Sequence, residues 1–363
     1  MLPVRPEVLR LRPYVPGKPI REVQREYGLT DVVKLASNEN PLGPPPKAVE
    51  AIRKALSGLH IYPEGSSPEL RGRVAERLGF PADWVMVGNG SDELLRLLAA
   101  SYVQAGDHCV VPGESFPNYR AVSELFGARV TEVPLRAGAM DLEAMAAAAS
   151  VAPTRIIWLC RPNNPTGGVF AAEAFERFMA AVPSTAMVVV DEAYHEFDET
   201  GFDALAVLKR YPNLVVTRTF SKAYGLAALR VGYGIARPEV WQPCYTVREP
   251  FTVGGLGQVA ALAALDDEEH LAATRKLARE GKRFLEELCV NLGLRYLPSQ
   301  ANFVMIDLGR PAQPVFEALL RRGVIVRPCT GFGRPEFIRV TTGRPEELMR
   351  FASALKEAVQ SGG

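Results

Sequence analysis

Met187-Val-Val-Val-Asp191-Glu-Ala-Tyr194 is a short apolar run that ends directly in a carboxylate. A β-branched run of this length without polar alternation is typical of a strand covered on both faces, as the strands of parallel sheets are. Open α/β sheets bind their ligands at the carboxyl ends of such strands, where Asp191 stands. The segment therefore predicts an α/β fold and marks Asp191 as a candidate ligand contact, although a solvated strand end explains this one residue more simply.

Six further apolar runs lie before and after this segment and also predict strands. Together with 187–190, the predicted strands cover residues 84–87, 109–111, 130–134, 156–160, 215–219 and 231–236. Helical segments at 92–102, 119–126 and 171–181 lie between the first five strands. Because alternating strands and helices are typical of βαβ units, we expect an α/β fold with a large, mainly parallel seven-stranded sheet.

The chain on either side of this sheet predicts two smaller units. Residues 1–40 are rich in proline and lack periodicity, so we expect an extended N-terminal arm that is part of a small domain. Residues 41–257 would form the large domain. From 258 to 292 helix formers continue with one acidic interruption, which predicts a long connecting helix, and the order β, α, β, β, α then predicts a small α+β domain that ends the 258–363 unit.

The composition excludes several classes of protein. Among 363 residues, 42 Lys and Arg stand against 41 Asp and Glu, and the net charge of +1 gives no overall field to attract nucleic acid or anionic lipid. No run approaches the ~18 apolar residues of a membrane span, and the N-terminus lacks the apolar core of a signal peptide. The four histidines and five separated cysteines lack the spacing of a zinc site, so we expect a cytoplasmic protein without a metal.

A small-residue turn, Gly88-Asn-Gly-Ser-Asp-Glu93, joins the first predicted strand to a helix. Its backbone N–H groups, together with the helix N-terminus, could hold a phosphate. Equally, Ser91 could serve simply as the N-cap of that helix. Glu93 occupies the place of a glycine in the Rossmann fingerprint, and the sequence contains no Walker motif, so dinucleotide and Walker-type sites lose support.

Two more loops follow predicted strands. Arg161-Pro-Asn-Asn-Pro-Thr-Gly167 carries two adjacent amides and, taken alone, is a plausible turn. In the segment 219–232, Lys222 follows a Thr-x-Ser step and Arg230 comes eight residues later. Hydroxyl, ammonium and guanidinium groups near one strand end suit a phosphorylated cofactor and an imine-forming amine, although such a lysine is commonly a surface charge. The conjunction and order of all these segments form the strong signal.

In that order, Asn164-Pro-Thr-Gly167, Asp191-Glu-Ala-Tyr194, Ser221-Lys222 and Arg230 resemble the fold-type I aminotransferases that use pyridoxal 5′-phosphate. Additional segments narrow the resemblance to the histidinol-phosphate aminotransferase family. They are Tyr14-Val-Pro-Gly17, Ala36-Ser-Asn-Glu-Asn-Pro41, Tyr62-Pro63, Ala301-Asn-Phe303 and Ile338-Arg-Val-Thr341. The resemblance extends over nearly the whole chain.

The resemblance implies a catalytic role for Lys222, Asp191 and Tyr194. Lys222 would attach the cofactor through its amine and then move a proton between substrate and cofactor. Asp191 would keep the pyridine nitrogen protonated, so that the ring withdraws electrons. Asn164 and Tyr194 would hydrogen-bond the ring oxygen O3′.

The resemblance also implies further cofactor contacts, mainly to the phosphate group. They fall on Gly90, Ser91, Asp92, Thr219, Ser221 and Arg230. Tyr62 would reach the phosphate from a neighbouring subunit, which makes a homodimer part of the prediction. Phe116 matches the position of an aromatic ring that stacks on the cofactor, and a core aromatic residue after a strand is the alternative.

Two arginines that match family positions lead us to expect an acidic substrate. Arg339 matches the residue that clamps the anionic end of the substrate, and Arg327 matches a second cation near it; guanidinium groups suit phosphate and carboxylate equally. Asn164 would also contact the substrate. Tyr14 and Asn40 would line its entrance or simply anchor the arm.

The leading hypothesis is a two-step transamination in which glutamate and 2-oxoglutarate exchange an amino group with histidinol phosphate and imidazole acetol phosphate. Thr252 and Gly254 depart from the pattern, because histidinol-phosphate enzymes often carry asparagines there, and this leaves substrate choice open. The alternatives are an aromatic or broad-specificity aminotransferase and a threonine-phosphate decarboxylase. A cofactor-binding module without catalysis is disfavoured by the intact lysine and its partners.

Overall fold

The computed structural model of this chain describes residues 2–11, 13 and 17–360, and Tyr14 therefore lies outside the described residues. Within these residues no helix is both long and apolar enough to cross a membrane. In chain order the strands are β1 (Val33–Lys34), β2 (Val85–Asn89), β3 (His108–Pro112), β4 (Arg129–Val133), β5 (Leu135–Arg136), β6 (Ala139–Met140), β7 (Thr154–Cys160), β8 (Met187–Asp191), β9 (Leu214–Thr219), β10 (Val231–Ile235), β11 (Arg295–Leu297), β12 (Phe303–Asp307), β13 (Val324–Ile325), β14 (Arg327–Pro328) and β15 (Phe337–Thr341).

The α-helices vary from a single turn to twenty-five residues. In chain order they are α1 (Pro6–Arg10), α2 (Ile20–Tyr27), α3 (Pro46–Ala55), α4 (Pro68–Leu78), α5 (Gly90–Tyr102), α6 (Asn118–Leu125), α7 (Leu142–Ser150), α8 (Ala172–Ala181), α9 (Leu205–Leu208), α10 (Pro238–Val247), α11 (Gly255–Leu265), α12 (Glu268–Leu292), α13 (Ala312–Arg321) and α14 (Pro345–Gln360). Short 3-10 helices lie at Leu56–Gly58, Ala82–Trp84, His195–Phe197, Ala227–Leu229 and Thr330–Phe332.

The larger sheet forms the body of the molecule. Among the described residues it has seven strands in the order β2-β10-β9-β8-β7-β3-β4. The strands from β9 to β4 pair in parallel, whereas β10 runs antiparallel to both β9 and β2. The predicted mainly parallel seven-stranded α/β sheet is therefore confirmed.

Burial explains why functional side chains gather at one edge of this sheet. Every residue of β8 and β9 is buried, because helices pack on the sheet, α5 against β9 and β10 and α7 against β3 and β7. Trp158 of β7 and Phe175 of α8 fill this interior. Polar groups are consequently placed where the strands end, with Asp191 at the end of β8 and Thr219 at the end of β9.

A smaller sheet follows α12 and has the order β11-β12-β15-β14, with antiparallel pairs throughout. Its core brings Val304, Val340, Leu319 and Phe351 together. β1 pairs in parallel with β13, and Leu35 after it enters the same core. The chain before the large sheet is therefore anchored on the smaller one.

Two helices interrupt the N-terminal segment, so the expectation of an extended arm throughout residues 1–40 is wrong. Pro6 occupies the first turn of α1, where the missing N–H of proline has no helical partner to lose. Gly28 ends α2 with φ +66°, a left-handed conformation that glycine adopts without strain. Val23 of α2 packs against Leu320 and Ile325. Local capping and one apolar contact face are enough to form a helix on this surface.

The long connecting helix predicted at 258–292 is divided into α11 and α12, and the division lies within the acidic interruption of the sequence. Asp267 lies at the division, and its carboxylate accepts hydrogen bonds from the backbone N–H groups of His270 at 3.4 Å and Lys47 at 3.3 Å. An aspartate that accepts from the next turn starts a helix and does not continue the preceding one. α11 packs on α3 and α4, whereas α12 contacts β11 and β12 of the smaller sheet.

Replacement of Asp267 by alanine tests this junction. Because the N-cap of α12 would be lost, we expect Asp267→Ala to lower the free energy of unfolding by about 1 kcal/mol. Urea unfolding followed by circular dichroism measures the change. Asp267→Asn retains a capping oxygen and should lose much less, so equal losses in both variants would contradict the capping role.

Candidate active site

The carboxylate of Asp191 closes the central strand of the large sheet and is buried, with 3% of the residue exposed. Tyr119 donates its hydroxyl to Oδ2 at 2.7 Å, and Thr217 donates to Oδ1 at 2.9 Å. Burial raises the pKa of Asp191 to about 6, and the two hydrogen bonds oppose that rise. A buried carboxylate of this kind favours a ligand that brings a cationic or proton-donating group to it.

Lys222 stands three residues beyond the end of β9 and is half-buried. Its Nζ donates to the carbonyl oxygen of Ser37 at 3.1 Å and lies 6.0 Å from the centre of the Tyr194 ring. Burial, followed by the nearby Arg339 cation, lowers the pKa of Lys222 to about 8. About a tenth of the amine is therefore an unprotonated nucleophile at pH 7, and about half of it at pH 8.

Tyr194 lies in the turn after β8, with its ring packed edge-on against Phe303 at 5.2 Å between centroids. Its hydroxyl oxygen accepts a hydrogen bond from Nδ2 of Asn38 at 2.9 Å. Burial raises the pKa of Tyr194 well above its usual range. The phenol consequently keeps its proton at neutral pH and has that proton to donate.

Gly90 at the start of α5, Ser221 and Arg230 form a group suited to binding an anion, which we call the cup. Gly90 begins this helix with φ +73°, which suits glycine, and a Cβ at this position would come within 2.6 Å of Nη2 of Arg230. Nη1 of Arg230 donates to the hydroxyl of Ser221 at 3.2 Å. In the part of the chain that the structure describes, α5 has no side-chain N-cap. The interpretation of Ser91 as the cap is therefore wrong, and the first turn of a helix without such a cap can bind an anion through its N–H groups.

Asp92 and Thr219 shape the rim of this cup. Asp92 accepts from Nη2 of Arg230 at 3.4 Å and from the amide of Asn118 at 3.2 Å. The hydroxyl oxygen of Thr219 accepts from the backbone N–H of Ser221 at 3.1 Å. These contacts fix the Arg230 side chain and the loop before Lys222 relative to each other.

Two arginines face each other on the smaller sheet. Arg327 of β14 and Arg339 of β15 are directly paired in antiparallel register, which places both side chains on one face. Arg339 is buried, contacts Oδ1 of Asn164 and donates to the carbonyl oxygen of Ala36 at 2.7 Å. Since like charges directly opposite each other destabilise a sheet, the pair favours an anionic ligand on this face.

The adjacent amides of the loop at 161–167 have different tasks. Asn163 accepts from the hydroxyl of Ser115 at 2.6 Å and donates to the hydroxyl oxygen of Thr166 at 2.9 Å, so it holds the loop itself. Asn164 accepts from Arg339 through Oδ1, which leaves Nδ2 as its donor. The residue pattern alone does not distinguish the two amides, whereas the family resemblance implies a role only for Asn164.

Phe116 and Asn40 lie beside the cluster. The ring of Phe116 packs edge-on against the ring of Tyr119, with centroids 5.6 Å apart. Tyr119 in turn donates its hydroxyl to Asp191, so Phe116 is linked to Asp191 through this one residue. Nδ2 of Asn40 donates to the carbonyl oxygen of Ala223 at 3.0 Å and to the hydroxyl oxygen of Thr274 at 2.9 Å. These bonds tie Asn40 to the scaffold, which matches the anchoring alternative better than an entrance role.

Tyr62 lies at the surface of the protein. The residue is 79% exposed and stacks on Phe251 with ring centroids 4.8 Å apart. The Thr252 hydroxyl beside it accepts from Nε of Arg248 at 3.0 Å, and the Thr252 carbonyl oxygen accepts from Asn89 at 2.8 Å. The loop that departs from the family pattern thus lies next to the end of β2.

Sequence reasoning missed the residues that hold the catalytic candidates. Tyr119 and Thr217 donate to Asp191, Asn38 donates to Tyr194, and Ser37 accepts from Lys222. Asn38 stands inside the quoted segment Ala36–Pro41, yet nothing in the sequence pairs it with a residue 156 positions away. Only the fold creates these contacts.

The residues present fit pyridoxal 5′-phosphate, the cofactor that the sequence resemblance implies. The clearest observation is Gly90, because any larger residue would place its Cβ against Arg230 and fill the cup suited to a phosphate. A partly unprotonated lysine and a buried carboxylate complete the set that an aldehyde-bearing pyridine requires.

Comparison with known proteins gives a consistent result. The pattern of the family described as aminotransferase class I and II matches residues 30–355. The chain is 56% identical to a histidinol-phosphate aminotransferase of Symbiobacterium thermophilum, with 100% of both chains covered, and 49% identical to histidinol-phosphate aminotransferase 2 of Pseudomonas aeruginosa, with 96% of both covered. The crystal structure of histidinol-phosphate aminotransferase from Sinorhizobium meliloti, in complex with pyridoxal-5′-phosphate, superposes with a TM-score of 0.92 at 29% identity over 99% of this chain and 98% of that one.

The lowered pKa of Lys222 predicts how the cofactor-free protein captures pyridoxal 5′-phosphate. Because the unprotonated amine attacks, we expect the capture rate to rise about tenfold per pH unit below pH 8 and to level above it. Stopped-flow absorbance measures the rate. Arg339→Gln removes one cause of the lowered pKa and should move the break to higher pH, whereas a wild-type rate still rising at pH 10 would refute the assignment.

Proposed function

The chain belongs to the class I and II aminotransferase family, and from that premise we propose that it transfers an amino group between L-histidinol phosphate and 2-oxoglutarate. The products are imidazole acetol phosphate and L-glutamate, a step of histidine biosynthesis. The observation that carries this choice of substrate is the pairing of Arg327 with Arg339 on one face beside the Asn164 amide. Two guanidinium groups suit the dianion of a phosphate monoester and also accept the carboxylate of glutamate.

Pyridoxal 5′-phosphate, when bound, supplies an aromatic ring that withdraws the electron pair left on the substrate α-carbon after proton loss. Asp191 holds a proton at the ring nitrogen, and its burial favours this pairing over an isolated charge. Nδ2 of Asn164 and the hydroxyl of Tyr194 donate to the ring oxygen O3′. Asn164, Tyr194 and Asp191 are each held by a hydrogen bond to another side chain of the protein. Side chains held in this way are preorganised for their partners.

Lys222 attaches the cofactor and then serves as the general base and acid. Its Nζ would take the proton from the substrate α-carbon and pass it to the cofactor carbon C4′, so that the same amine serves first as base and then as acid. The pKa of about 8 supports this role, because the amine exists in both protonation states near neutral pH. The first turn of α5, Ser221 and Arg230 bind the cofactor phosphate and keep the ring in place.

A paired assay tests the choice of substrate. We expect histidinol phosphate to react with 2-oxoglutarate with a kcat/KM at least about tenfold above that of phenylalanine, because only the phosphate presents two negative charges to the arginines. Glutamate formation measures transamination, and carbon dioxide release from threonine phosphate measures decarboxylation.

Arg327→Gln is the matched control for this assay, since it removes one of the paired charges and keeps the catalytic candidates Lys222, Asp191 and Tyr194 in place in the sequence. It should reduce kcat/KM for histidinol phosphate more than for phenylalanine. Faster turnover of phenylalanine, or carbon dioxide as the main product of threonine phosphate, would replace the proposed substrate.

We also propose that the enzyme is a homodimer in which Tyr62 of one subunit binds the cofactor phosphate of the other. Large apolar side chains are exposed around Tyr62. They are Leu56, Leu59, Ile61 and Phe251. An exposed apolar patch of this kind is typical of an interface, and the exposure of Tyr62 leaves its side chain accessible to a second subunit.

A hybrid dimer tests the contribution of Tyr62. Lys222→Ala subunits lack the amine and Tyr62→Ala subunits lack the phosphate contact, so a mixed dimer has one site with both residues only if Tyr62 acts across the interface. We expect Tyr62→Ala alone to weaken cofactor affinity about tenfold to hundredfold and the mixed dimer to recover wild-type affinity at one site per dimer. Spectroscopic titration measures both, and no recovery in isolated mixed dimers would contradict the arrangement.

The location we propose is the cytoplasm. All five cysteines are buried free thiols. A reducing compartment keeps thiols in this state, which supports the assignment.

A further inference from the structure

Asn38 is a buried residue with an unusual backbone. It is 1% exposed and has φ +55°, a left-handed conformation that asparagine tolerates better than most residues. It lies between β1 of the smaller domain and the loop that leads to the large one. Backbone geometry of this kind persists where surrounding contacts enforce it, and it often marks a functional position.

The contacts that enforce it come from the smaller domain. The backbone N–H of Asn38 donates to the hydroxyl oxygen of Thr341 at 3.0 Å, and that hydroxyl donates to Oδ1 of Asn38 at 3.0 Å. Nδ2 of Asn302 donates to the Asn38 carbonyl oxygen at 3.1 Å. With Oδ1 engaged by Thr341, the amide presents its Nδ2 to the other side, where the oxygen of Tyr194 accepts it.

This bond determines which way the phenol of Tyr194 donates. An oxygen that accepts an N–H on one side directs its own proton away from that donor, and a chain of two hydrogen bonds strengthens each member. The charged or titratable groups that act on Tyr194 are Arg339, Cys160 and Asp191, with Lys222 over its ring. Asn38 is therefore a neutral donor among charged neighbours.

We infer that Asn38 is a positioning residue, which acts through Tyr194 by orienting the phenol proton towards the ring oxygen of the cofactor. This role rests on the proposed function. The same strand that holds Asn38 through Thr341 carries Arg339, whose guanidinium donates to Ala36 two residues before Asn38. The substrate clamp and the donor to the cofactor are thus held by one pair of segments.

A pH titration of the cofactor-loaded enzyme, read from its visible absorption, tests the inference. Asn38→Gly suits the test because glycine accepts φ +55° without strain and adds no charge. We expect Asn38→Gly to shift the titration midpoint in the same direction as Tyr194→Phe by about half to one pH unit, as loss of one hydrogen bond implies. The melting temperature shows whether the variant is folded.

The double variant provides the control. If Asn38 acts through the Tyr194 hydroxyl, Asn38→Gly adds no further shift in a Tyr194→Phe background. An unchanged midpoint in Asn38→Gly, or the same shift with and without the hydroxyl, overturns the positioning role and leaves the proposed function intact. Absence of cofactor absorption in the wild-type protein would overturn both.

Discussion

A carboxylate at the end of a wholly buried strand is the constraint on which the rest of the site depends. Asp191 follows four apolar residues in the centre of the large sheet, so its charge has little water to stabilise it. The protein compensates only in part, with the hydroxyls of Tyr119 and Thr217, and the pKa of Asp191 remains raised to about 6. In the proposed function a cationic ring nitrogen would complete the compensation, and a strand end of this composition therefore suits a pyridine cofactor.

The positive charges that matter for the proposed function are local. The chain as a whole carries a net charge of +1, so function depends on local cations. Arg230 faces a cup that Gly90 keeps open, while Arg327 and Arg339 are paired on the smaller sheet. Burial, with smaller contributions from Arg339 and Arg230, lowers the pKa of Lys222 to about 8. An arginine from each group therefore assists the nucleophile as well as the proposed binding of anions.

The sequence predicted the large sheet because its strands are long enough, apolar and separated by helices, and local pattern decides such elements. It missed the N-terminal helices, where a single capping residue such as Gly28 outweighs composition, and it marked the acidic interruption at Asp267 without predicting that the helix divides there. The motifs that predict the candidate site lie at the ends of strands. Ser91 was ambiguous, since a helix start serves equally as a cap or as an anion site, and only the hydrogen bonds of α5 distinguish the two.

By itself, the sequence determined the α/β class, the order of the strands along the chain and the identity of the side chains at their ends, because these depend on neighbouring residues. Only the tertiary structure decided which of those side chains meet. The contacts of Asn38 with Tyr194 and Thr341 join positions 156 and 303 residues apart, and the ring of Tyr62 stacks on Phe251. Hydrogen bonds across such separations have no local signature, because they form only after packing has closed the chain on itself.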